Sequence, residues 1–350
     1  MRGLGSLRPM STMSPADALD RVVYLRDRAL AESRRIQAYL NARDLVRELG
    51  EDEIARRHAD GTLQDLPGIG PSTAKVIALA LDGGIDEYLA DLEAETAIDI
   101  GEGAELRAAL RGDCHSHTTW SDGGAPVEVM ARTAMALGHE YLVVTDHSPR
   151  LTIAHGLNRE RLLAQLDEIE QVREVVAPFR ILTGIEVDIL QDGGLDQDDD
   201  LLERLDIVVA SVHSKLSMPE QEMTRRMVLA VASPHVDILG HCTGRKVVGG
   251  GRPQSKFDPD IVFAACARFD TAVAINCRPE RQDPPEELLA LALDWDCKVS
   301  IDTDAHAPGQ LEWQAYGCDK AAKMGIEPER IVNTLPADDL IAWAAGHPTG

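Results

Sequence analysis

The chain has few aromatic residues, no long apolar run and no surplus of positive charge. Phe, Trp and Tyr make up 4% of its 350 residues, so a large core must rest on Val, Ile, Leu and Ala, as buried parallel strands usually do. No run of about 18 apolar residues is present, which argues against a membrane span. The formal net charge of −24 argues against broad, nonspecific binding to nucleic acid but leaves room for a local site.

The chain also lacks paired cysteines and a secretion signal. Its six cysteines are dispersed, with no spacing of the zinc-finger type, which is typical of a protein in the reducing cytoplasm. The first dozen residues contain Arg2 and Arg8 but no apolar segment and no cleavage site. We therefore expect a cytoplasmic protein with a disordered start over residues 1–14.

Apolar runs of strand length recur from residue 110 onward, and each delivers polar residues at its end. The run from Tyr141 to Thr145 is followed by Asp146 and His147, and the run from Ile207 to Val212 by His213. Helix-like stretches separate the runs, and strands that alternate with helices pair in parallel. Seven runs predict an α/β fold with a distorted seven-stranded (β/α)7 barrel. A doubly wound open sheet is the alternative, because its ligands also collect beyond the carboxyl ends of strands.

Metal-ligating residue types are concentrated at these ends. Alternate residues of a strand share a face, so the first pair of histidines could hold one ion together. A single buried histidine is more often a hydrogen-bonded core residue, but nine ligand types at consecutive strand ends indicate a buried multi-metal site. The nine are His115, His117, Asp122, His147, Glu186, His213, His241, Asp304 and His306. Four of the remaining histidines are assigned to the surface: His58, His139, His235 and His347.

The first hundred residues predict a separate helical domain over residues 15–96, followed by a linker over 97–109. Within it, residues 63–81 resemble the helix-hairpin-helix motif of DNA-binding and repair proteins. Gly68 and Gly70 flank Ile69 in a tight turn, and the helix start that follows would attract phosphate oxygens. Lys75 could add a contact to the DNA backbone. The alternative is an ordinary glycine turn between two packed helices.

Six segments of the second part, residues 110–340, resemble the PHP (polymerase and histidinol phosphatase) domain family, and in particular the PHP domain of bacterial X-family DNA polymerases. They are the segments 113–123, 145–148, 184–190, 211–214, 240–245 and 303–306. The resemblance implies a metal-dependent phosphoesterase domain, a distorted seven-stranded barrel and up to three divalent ions.

The resemblance also implies how the ligands divide among the ions. One ion would be held by His115, His117, Glu186 and Asp304, and a second by Asp122, His147 and His306. The third would be held by His213 and His241, with Glu186 as a bridge. Mixed imidazole and carboxylate ligands suit Zn, Mn or Fe.

One departure from the polymerases is the spacing. Those proteins carry a nucleotidyl-transfer domain between the helical module and the PHP domain, whereas here only the residues between Leu81 and Gly112 separate the two. The chain therefore resembles such a polymerase without its polymerising part.

These features predict hydrolysis of a phosphate ester by a metal-bound hydroxide, with clustered ions neutralising the phosphate. Asp146 and Asp188 would orient ligands, and His155 would hold substrate or protonate the leaving group. Four basic residues near the strand ends would neutralise the substrate phosphate: Arg245, Arg281, Lys215 and Lys246. The alternative for these five outer groups is a surface ion pair or loop contact.

Three functions are consistent with the sequence. The first is a phosphoesterase that processes DNA ends in repair, as a 3′–5′ exonuclease or a 3′-phosphatase. The second is a small-molecule phosphatase of the histidinol-phosphatase type. The third is a noncatalytic DNA-binding module with structural metals. The hairpin favours the first, and the acidic charge favours the second.

Overall fold

The computed structural model describes residues 13–347, which form two compact units. The helical unit ends at Ala97 and the barrel unit begins at Ile98. Most of the predicted disordered start lies outside the described residues. Met13 and Ser14 lie inside them, and the Ser14 hydroxyl accepts a hydrogen bond from Asp17 N at 3.1 Å.

The helical unit is built from five α-helices and a short 3₁₀ turn at Leu63–Asp65 within residues 13–97. The helices are α1 (Pro15–Arg28), α2 (Ser33–Leu49), α3 (Glu51–Ala59), α4 (Pro71–Asp82) and α5 (Ile85–Thr96). Helix α1 begins with a serine cap and a proline in its first turn, both favoured there. Its apolar positions recur at helical spacing, so Ala18, Val22 and Leu25 are fully buried.

The barrel unit is centred on seven parallel strands that neighbour one another in chain order within residues 98–347. They are β1 (Gly112–Ser116), β2 (Tyr141–Val144), β3 (Arg180–Asp188), β4 (Ile207–Ser211), β5 (Ile238–Leu239), β6 (Ala272–Asn276) and β7 (Val299–Asp302). A parallel bridge between Ser116 and Ala305 brings the two edges of the sheet together. The predicted seven-stranded barrel is confirmed in a nearly closed form, and the open-sheet alternative is wrong.

Helices surround the strands: α6 (Ala104–Ala109), α7 (Val127–Ala136), α8 (Arg159–Val176), α9 (Asp199–Leu202), α10 (Glu220–Val231), α11 (Pro259–Phe269), α12 (Glu286–Asp294), α13 (Gln314–Lys323) and α14 (Ala337–Ala344). The strands are buried almost throughout, as the sides of a helix-covered parallel barrel should be. Because all seven strands run the same way, their carboxyl ends meet at one mouth.

Three details differ from the sequence-based expectations. Strand β3 continues past Glu186 because residues 184–188 pair with residues 207–211 of β4. His139 and His347 were assigned to the surface, but both are buried. A polar partner lies beside each: His139 Nε2 is 2.8 Å from a nitrogen of Arg107, and His347 Nε2 is 2.9 Å from a carboxylate oxygen of Asp237.

Candidate metal centre

The nine predicted ligands meet at the mouth of the barrel. His115 and Glu186 lie within strands β1 and β3, and the other seven follow a strand by a few residues. Eight of the nine side chains are largely buried, and the exception is Asp122, whose side chain is 37% exposed. Side chains that are up to 191 residues apart in the chain, from His115 to His306, therefore share one small volume.

Glu186 is the hub of this cluster. Its Oε2 lies 2.8 Å from His147 Nδ1 and 3.4 Å from His115 Nε2. Its Oε1 lies 2.9 Å from His241 Nε2 and 3.2 Å from His213 Nε2. A carboxylate that faces imidazoles from four other strand ends has the geometry of a bridging ligand.

The ends of β1 and β7 supply one group of ligands. His115 Nε2 and His117 Nε2 are 3.1 Å apart, as expected for alternate positions on one face. Asp304 Oδ1 lies 3.4 Å from His117 Nε2 and 4.0 Å from His115 Nε2. The other oxygen of Asp304 accepts a hydrogen bond from Asn276 Nδ2 at 3.0 Å, which fixes the orientation of the carboxylate.

Asp122 lies in the loop after β1 and completes a second group. Its Oδ1 is 3.4 Å from His147 Nε2 and 3.3 Å from His306 Nε2. The ring of His117 stacks between those of His147 and His306, with centroids 4.3 and 4.1 Å away. His117 therefore borders both this group and the first one.

Three groups bring one ligand atom from each residue within 4.8 Å of one another: His117, Asp122, His147 and His306; His115, His117 and Glu186; His147, Glu186 and His213. Each group differs from the set that the resemblance implies. The group of Asp122 also contains His117, the group of His115 lacks Asp304, and the group of His213 contains His147 in place of His241. The clusters are suited to several divalent ions, because imidazole nitrogens and carboxylate oxygens are their usual ligands.

Many polar atoms in this cluster are buried without a hydrogen bond. Among them are Nδ1 of His115, His117 and His241, both ring nitrogens of His213, and Glu186 Oε2. Burying such atoms unpaired is costly, and each has a lone pair or a proton that a partner would normally satisfy. The residues therefore fit bound cations better than they fit a closed hydrogen-bond network.

The electrostatics around Glu186 favour positive charge on His115 and His213, whereas burial lowers the pKa values of His117 and His241. Burial alone would raise the pKa of the Glu186 carboxyl, but His213, His115 and His147 hold it well below its ordinary value of 4.5. Burial alone would lower the pKa values of His115 and His213, yet the charge of Glu186 raises both to about 9. The negative potential that attracts protons to these rings would equally attract metal ions.

Asp146 and Asp188 support the ligands from behind. Asp146 accepts hydrogen bonds from Thr118 N at 2.8 Å, Thr118 Oγ1 at 2.6 Å and Gln165 Nε2 at 2.6 Å. It also accepts from the backbone and hydroxyl of Ser121, and so holds the loop that carries Asp122. Asp188 Oδ1 accepts from His213 N at 3.1 Å and lies 3.5 Å from its Nδ1.

Two further carboxyls, Asp113 and Asp302, were not singled out from the sequence. Both are fully buried, and Asp113 accepts from His115 N at 3.1 Å and from the Thr303 hydroxyl. Burial and the nearby charge of Asp302 raise the pKa of Asp113 to about 7. Each stands two residues before a predicted ligand, so the rule of alternate positions could have identified them.

Arg278 is a second omission. Its guanidinium donates to the carbonyl of Asp304 at 2.9 Å and lies 2.8 Å from His306 Nδ1. It also forms an ion pair with Glu280 at 2.9 Å. The other ring nitrogen of His306, Nε2, is the one that faces Asp122. Arg278 therefore orients the loop after β7, and its place directly after β6 was the available signal.

The four basic residues that were predicted to bind the substrate phosphate differ in whether their charged groups are free to do so. Arg281 reaches the cluster, with Nε 3.2 Å from Asp304 Oδ2, and its buried Nη1 has no hydrogen-bond partner within the described residues. Arg245 instead donates to the carbonyls of Arg281 and Gln282, so its guanidinium braces a loop. Lys215 and Lys246 are exposed.

His155 lies apart from the nine ligands. It is exposed, its backbone is left-handed with φ of 55°, and it lines a pocket of about 520 Å³ with Thr119, Ser121 and Arg161. Ser121 is adjacent to Asp122, so the pocket adjoins the loop that carries this ligand.

The segment that resembles a helix-hairpin-helix motif has a turn before α4. Gly68 has φ of +89°, a value that favours glycine, whereas Gly70 has an ordinary extended backbone. Of the two glycines predicted to permit the tight turn, only Gly68 therefore has a backbone conformation that favours glycine. Ile69 is buried with 5% exposure, so its side chain packs inward. Lys75 is exposed, and its ammonium lies 5.0 Å from the centroid of the Tyr88 ring.

Comparisons with known proteins agree with this architecture. The family model "PHP domain" matches residues 113–244. DNA polymerase/3′-5′ exonuclease PolX of Bacillus subtilis is 38% identical over 72% of this chain, which covers 44% of that protein. A probable phosphatase of Shewanella sediminis is 31% identical over 68% of this chain and 95% of its own length. The chain belongs to the PHP domain family. It is thus a member of a hydrolase family that acts on phosphate esters.

A solved structure is also similar. Histidinol phosphate phosphatase of Lactococcus lactis, complexed with Zn, L-histidinol and phosphate, is 16% identical with a TM-score of 0.41. The match covers 61% of this chain and 94% of that one. This chain spans less than half the length of the Bacillus protein, and the matched part includes the PHP region. No helix among residues 13–347 has the length and apolarity needed to cross a bilayer.

Proposed function

We propose that this PHP protein hydrolyses phosphate esters at DNA ends, as a 3′–5′ exonuclease or a 3′-phosphatase in repair. The observation that carries the proposal is the convergence of nine ligand side chains beside a guanidinium, Arg281, whose Nη1 has no partner among the described residues. Such a pairing of cation ligands with an anion-binding group suits phosphate hydrolysis.

The ligand assignments are part of this proposal. His115, His117 and Asp304 would hold one ion, and Asp122, His147 and His306 a second. His213 and His241 would hold a third, with Glu186 as the bridge, and Zn, Mn and Fe all suit these ligands. When bound, such ions activate water and neutralise phosphate charge.

The protein's own groups would then orient the substrate. Arg281 would donate from Nη1 to a phosphate oxygen, because its Nε is directed at Asp304 and its Nη1 has no hydrogen-bond partner among the described residues. Lys246 and Lys215, both exposed, would contribute charge further out. His155 is within reach of solvent in its pocket and would hold substrate or supply a proton to the leaving oxygen.

The helix-hairpin-helix segment of residues 63–81 supports DNA as the substrate. The turn from Gly68 to Gly70 presents the start of a twelve-residue helix, α4, and Lys75 follows one turn later on an exposed face. These features would hold a phosphate backbone without reading its sequence. The Bacillus relative, whose name includes a 3′–5′ exonuclease, supports the same substrate.

The test compares two substrates under one metal regime. Purified protein is stripped with a chelator, reloaded with Mn or Zn, and incubated with 3′-end-labelled DNA or with histidinol phosphate. We expect nucleotide or phosphate release from DNA, loss of release after chelation and recovery on reloading. Lys75→Glu should weaken DNA hydrolysis several-fold through lost charge, whereas Lys256→Glu, an exposed control, should not.

A small-molecule phosphatase is the second candidate, favoured by the net charge of −24 and by the likeness to a probable phosphatase over 95% of its length. Release of phosphate from histidinol phosphate alone would establish it against the DNA proposal. Tight metal and DNA binding without hydrolysis of either substrate would instead indicate a noncatalytic module.

A further inference from the structure

The loops after β5 and β6 are joined beside the metal centre. Lys246 and Arg252 pair as an antiparallel bridge, with both backbone hydrogen bonds at 2.9 Å, so residues 246–252 form a small hairpin. Val247 N donates to the carbonyl of Glu280 at 2.7 Å, which ties this hairpin to the loop after β6. That second loop carries Arg281, which reaches Asp304. The hairpin is therefore anchored next to the proposed ligands.

Three cations, Lys246, Arg252 and Arg281, lie on or next to the joined loops. Within residues 13–347, neither Lys246 nor Arg252 forms an ion pair, and Arg252 spends one nitrogen on the carbonyl of Gly244 at 2.6 Å. Arg281 pairs with Asp304, and its Nη1 is left without a hydrogen bond. We call Lys246, Arg252 and Arg281 the cation cluster.

The cations of the cluster repel one another. Burial lowers the pKa of Lys246, and the charges of Arg281 and Arg252 lower it further. Burial and Arg281 likewise lower the pKa of Arg252. Of the acidic groups nearby, Glu280 pairs with Arg278, and Asp283 is buried and accepts from Thr243. In a chain of net charge −24, cations held together without local neutralisation indicate an anionic ligand.

The surface beside the cluster is apolar. Val247 and Val248, at the start of the hairpin, are 48% and 53% exposed. An inorganic anion would make no favourable contact with these apolar side chains, whereas a sugar or base attached to a phosphate could pack against them.

We infer that the cation cluster holds a second phosphate, the one next to the scissile phosphate in a nucleotide chain. This inference rests on the proposed hydrolysis of phosphate esters at the metal centre and names its substrate class. Arg281 would lie between the two positions, because it contacts Asp304 and its chain neighbour Glu280 is hydrogen-bonded to Val247 of the hairpin. The cluster would thus make the enzyme prefer substrates with a neighbouring phosphodiester over simple monoesters.

The test compares thymidine 3′-monophosphate with a thymidine dinucleotide that carries a 3′-phosphate. The variant is Arg252→Ala, and the control is Arg132→Ala, an exposed arginine that pairs with Glu128 on helix α7. We expect the variant to raise KM for the dinucleotide about tenfold, as for loss of charge-assisted contacts, with the monophosphate KM changed less than twofold. The control should change neither KM.

Equilibrium binding of hydrolysis-resistant phosphonate analogues of both compounds gives a readout that does not need turnover. Wild-type protein should bind the dinucleotide analogue more tightly, and the variant should lose that preference. Equal binding of both analogues by wild-type protein would overturn the inference. So would an equal preference for fructose 1,6-bisphosphate over fructose 6-phosphate, since any second phosphate would then suffice. Absence of hydrolysis with the binding preference intact would count against the proposed function alone.

Discussion

The centre of the helical unit and the mouth of the barrel unit bury opposite kinds of side chain. The centre of the helical unit is an apolar cluster from Ala18 to Leu92, and its arginines form ion pairs near the surface, such as Arg21 with Glu93. The mouth of the barrel unit instead buries imidazoles and carboxylates, several of them without hydrogen bonds. Apolar packing stabilises a fold without a ligand, whereas unpaired polar groups are retained where a ligand satisfies them.

Glu186→Gln should give the largest effect, because this carboxylate faces His115, His147, His213 and His241. We expect hydrolysis to fall more than about 100-fold and metal content to drop, since loss of a direct ligand should exceed the 10–100-fold effect of outer partners. Phosphate release and elemental analysis measure both. Glu222→Gln, on the exposed face of α10, is the control. Full activity with unchanged metal content would contradict the role of Glu186 as a bridge.

Asp146→Asn should reduce activity about 10–100-fold, as for other groups that orient metal ligands. The substitution keeps the size of the side chain but replaces one acceptor oxygen with a donor, facing hydrogens of Thr118, Ser121 and Gln165. The loop of Asp122 should then lose its fixed position. Asp167→Asn, exposed on α8, should leave kcat unchanged. A variant with native kcat and metal affinity would show that Asp146 is dispensable for orientation.

Leu25→Ala should destabilise the helical unit and leave the stability of the barrel unit unchanged. Leu25 is fully buried in the helical unit, and such truncation costs about 2–5 kcal/mol of unfolding free energy. All four tryptophans, Trp120, Trp295, Trp313 and Trp343, belong to the barrel unit. Urea unfolding followed by circular dichroism should therefore shift in its helical part, while tryptophan fluorescence and hydrolysis of a small phosphate ester stay as in wild type. Arg34→Ala, exposed on α2, is the control, and an equal shift of the fluorescence transition would mean that the units unfold together.

Asp27→Asn should affect only the stability of the helical unit, and the effect should depend on pH. Burial raises the pKa of Asp27 from 3.8 to about 7. A carboxyl whose pKa is higher in the folded state contributes stability below its unfolded pKa and loses that contribution as the pH rises through the folded pKa. Between these values the wild-type helical unit should lose at most about 1.4 kcal/mol per pH unit relative to the variant. Unfolding at pH 4 and pH 8 measures this, and a difference independent of pH would contradict it.

The sequence was sufficient for the barrel and for the positions of the nine ligand types because both follow from local patterns. Apolar runs mark buried strands, and parallel strands bring the residues at their ends to one mouth. The partners of the ligands were harder to predict. Arg245 was predicted to bind phosphate but donates to the carbonyls of Arg281 and Gln282, and these hydrogen bonds depend on the path of two loops. The bond from Gln165 to Asp146 depends on how α8 packs, and neither has a periodic signal in the chain.

Backbone pairing between the first and last strands is sparse: a bridge at Ser116 and Ala305, with side-chain bonds such as Thr303 to Asp113 nearby. His115 and His117 stand on one side of this seam and Asp304 on the other. An ion that these residues share would connect the two strands. Adding metal to the protein should therefore slow amide hydrogen exchange along β1 and β7 more than along β4. Metal binding at the mouth of this barrel would therefore also stabilise the contact between its first and last strands.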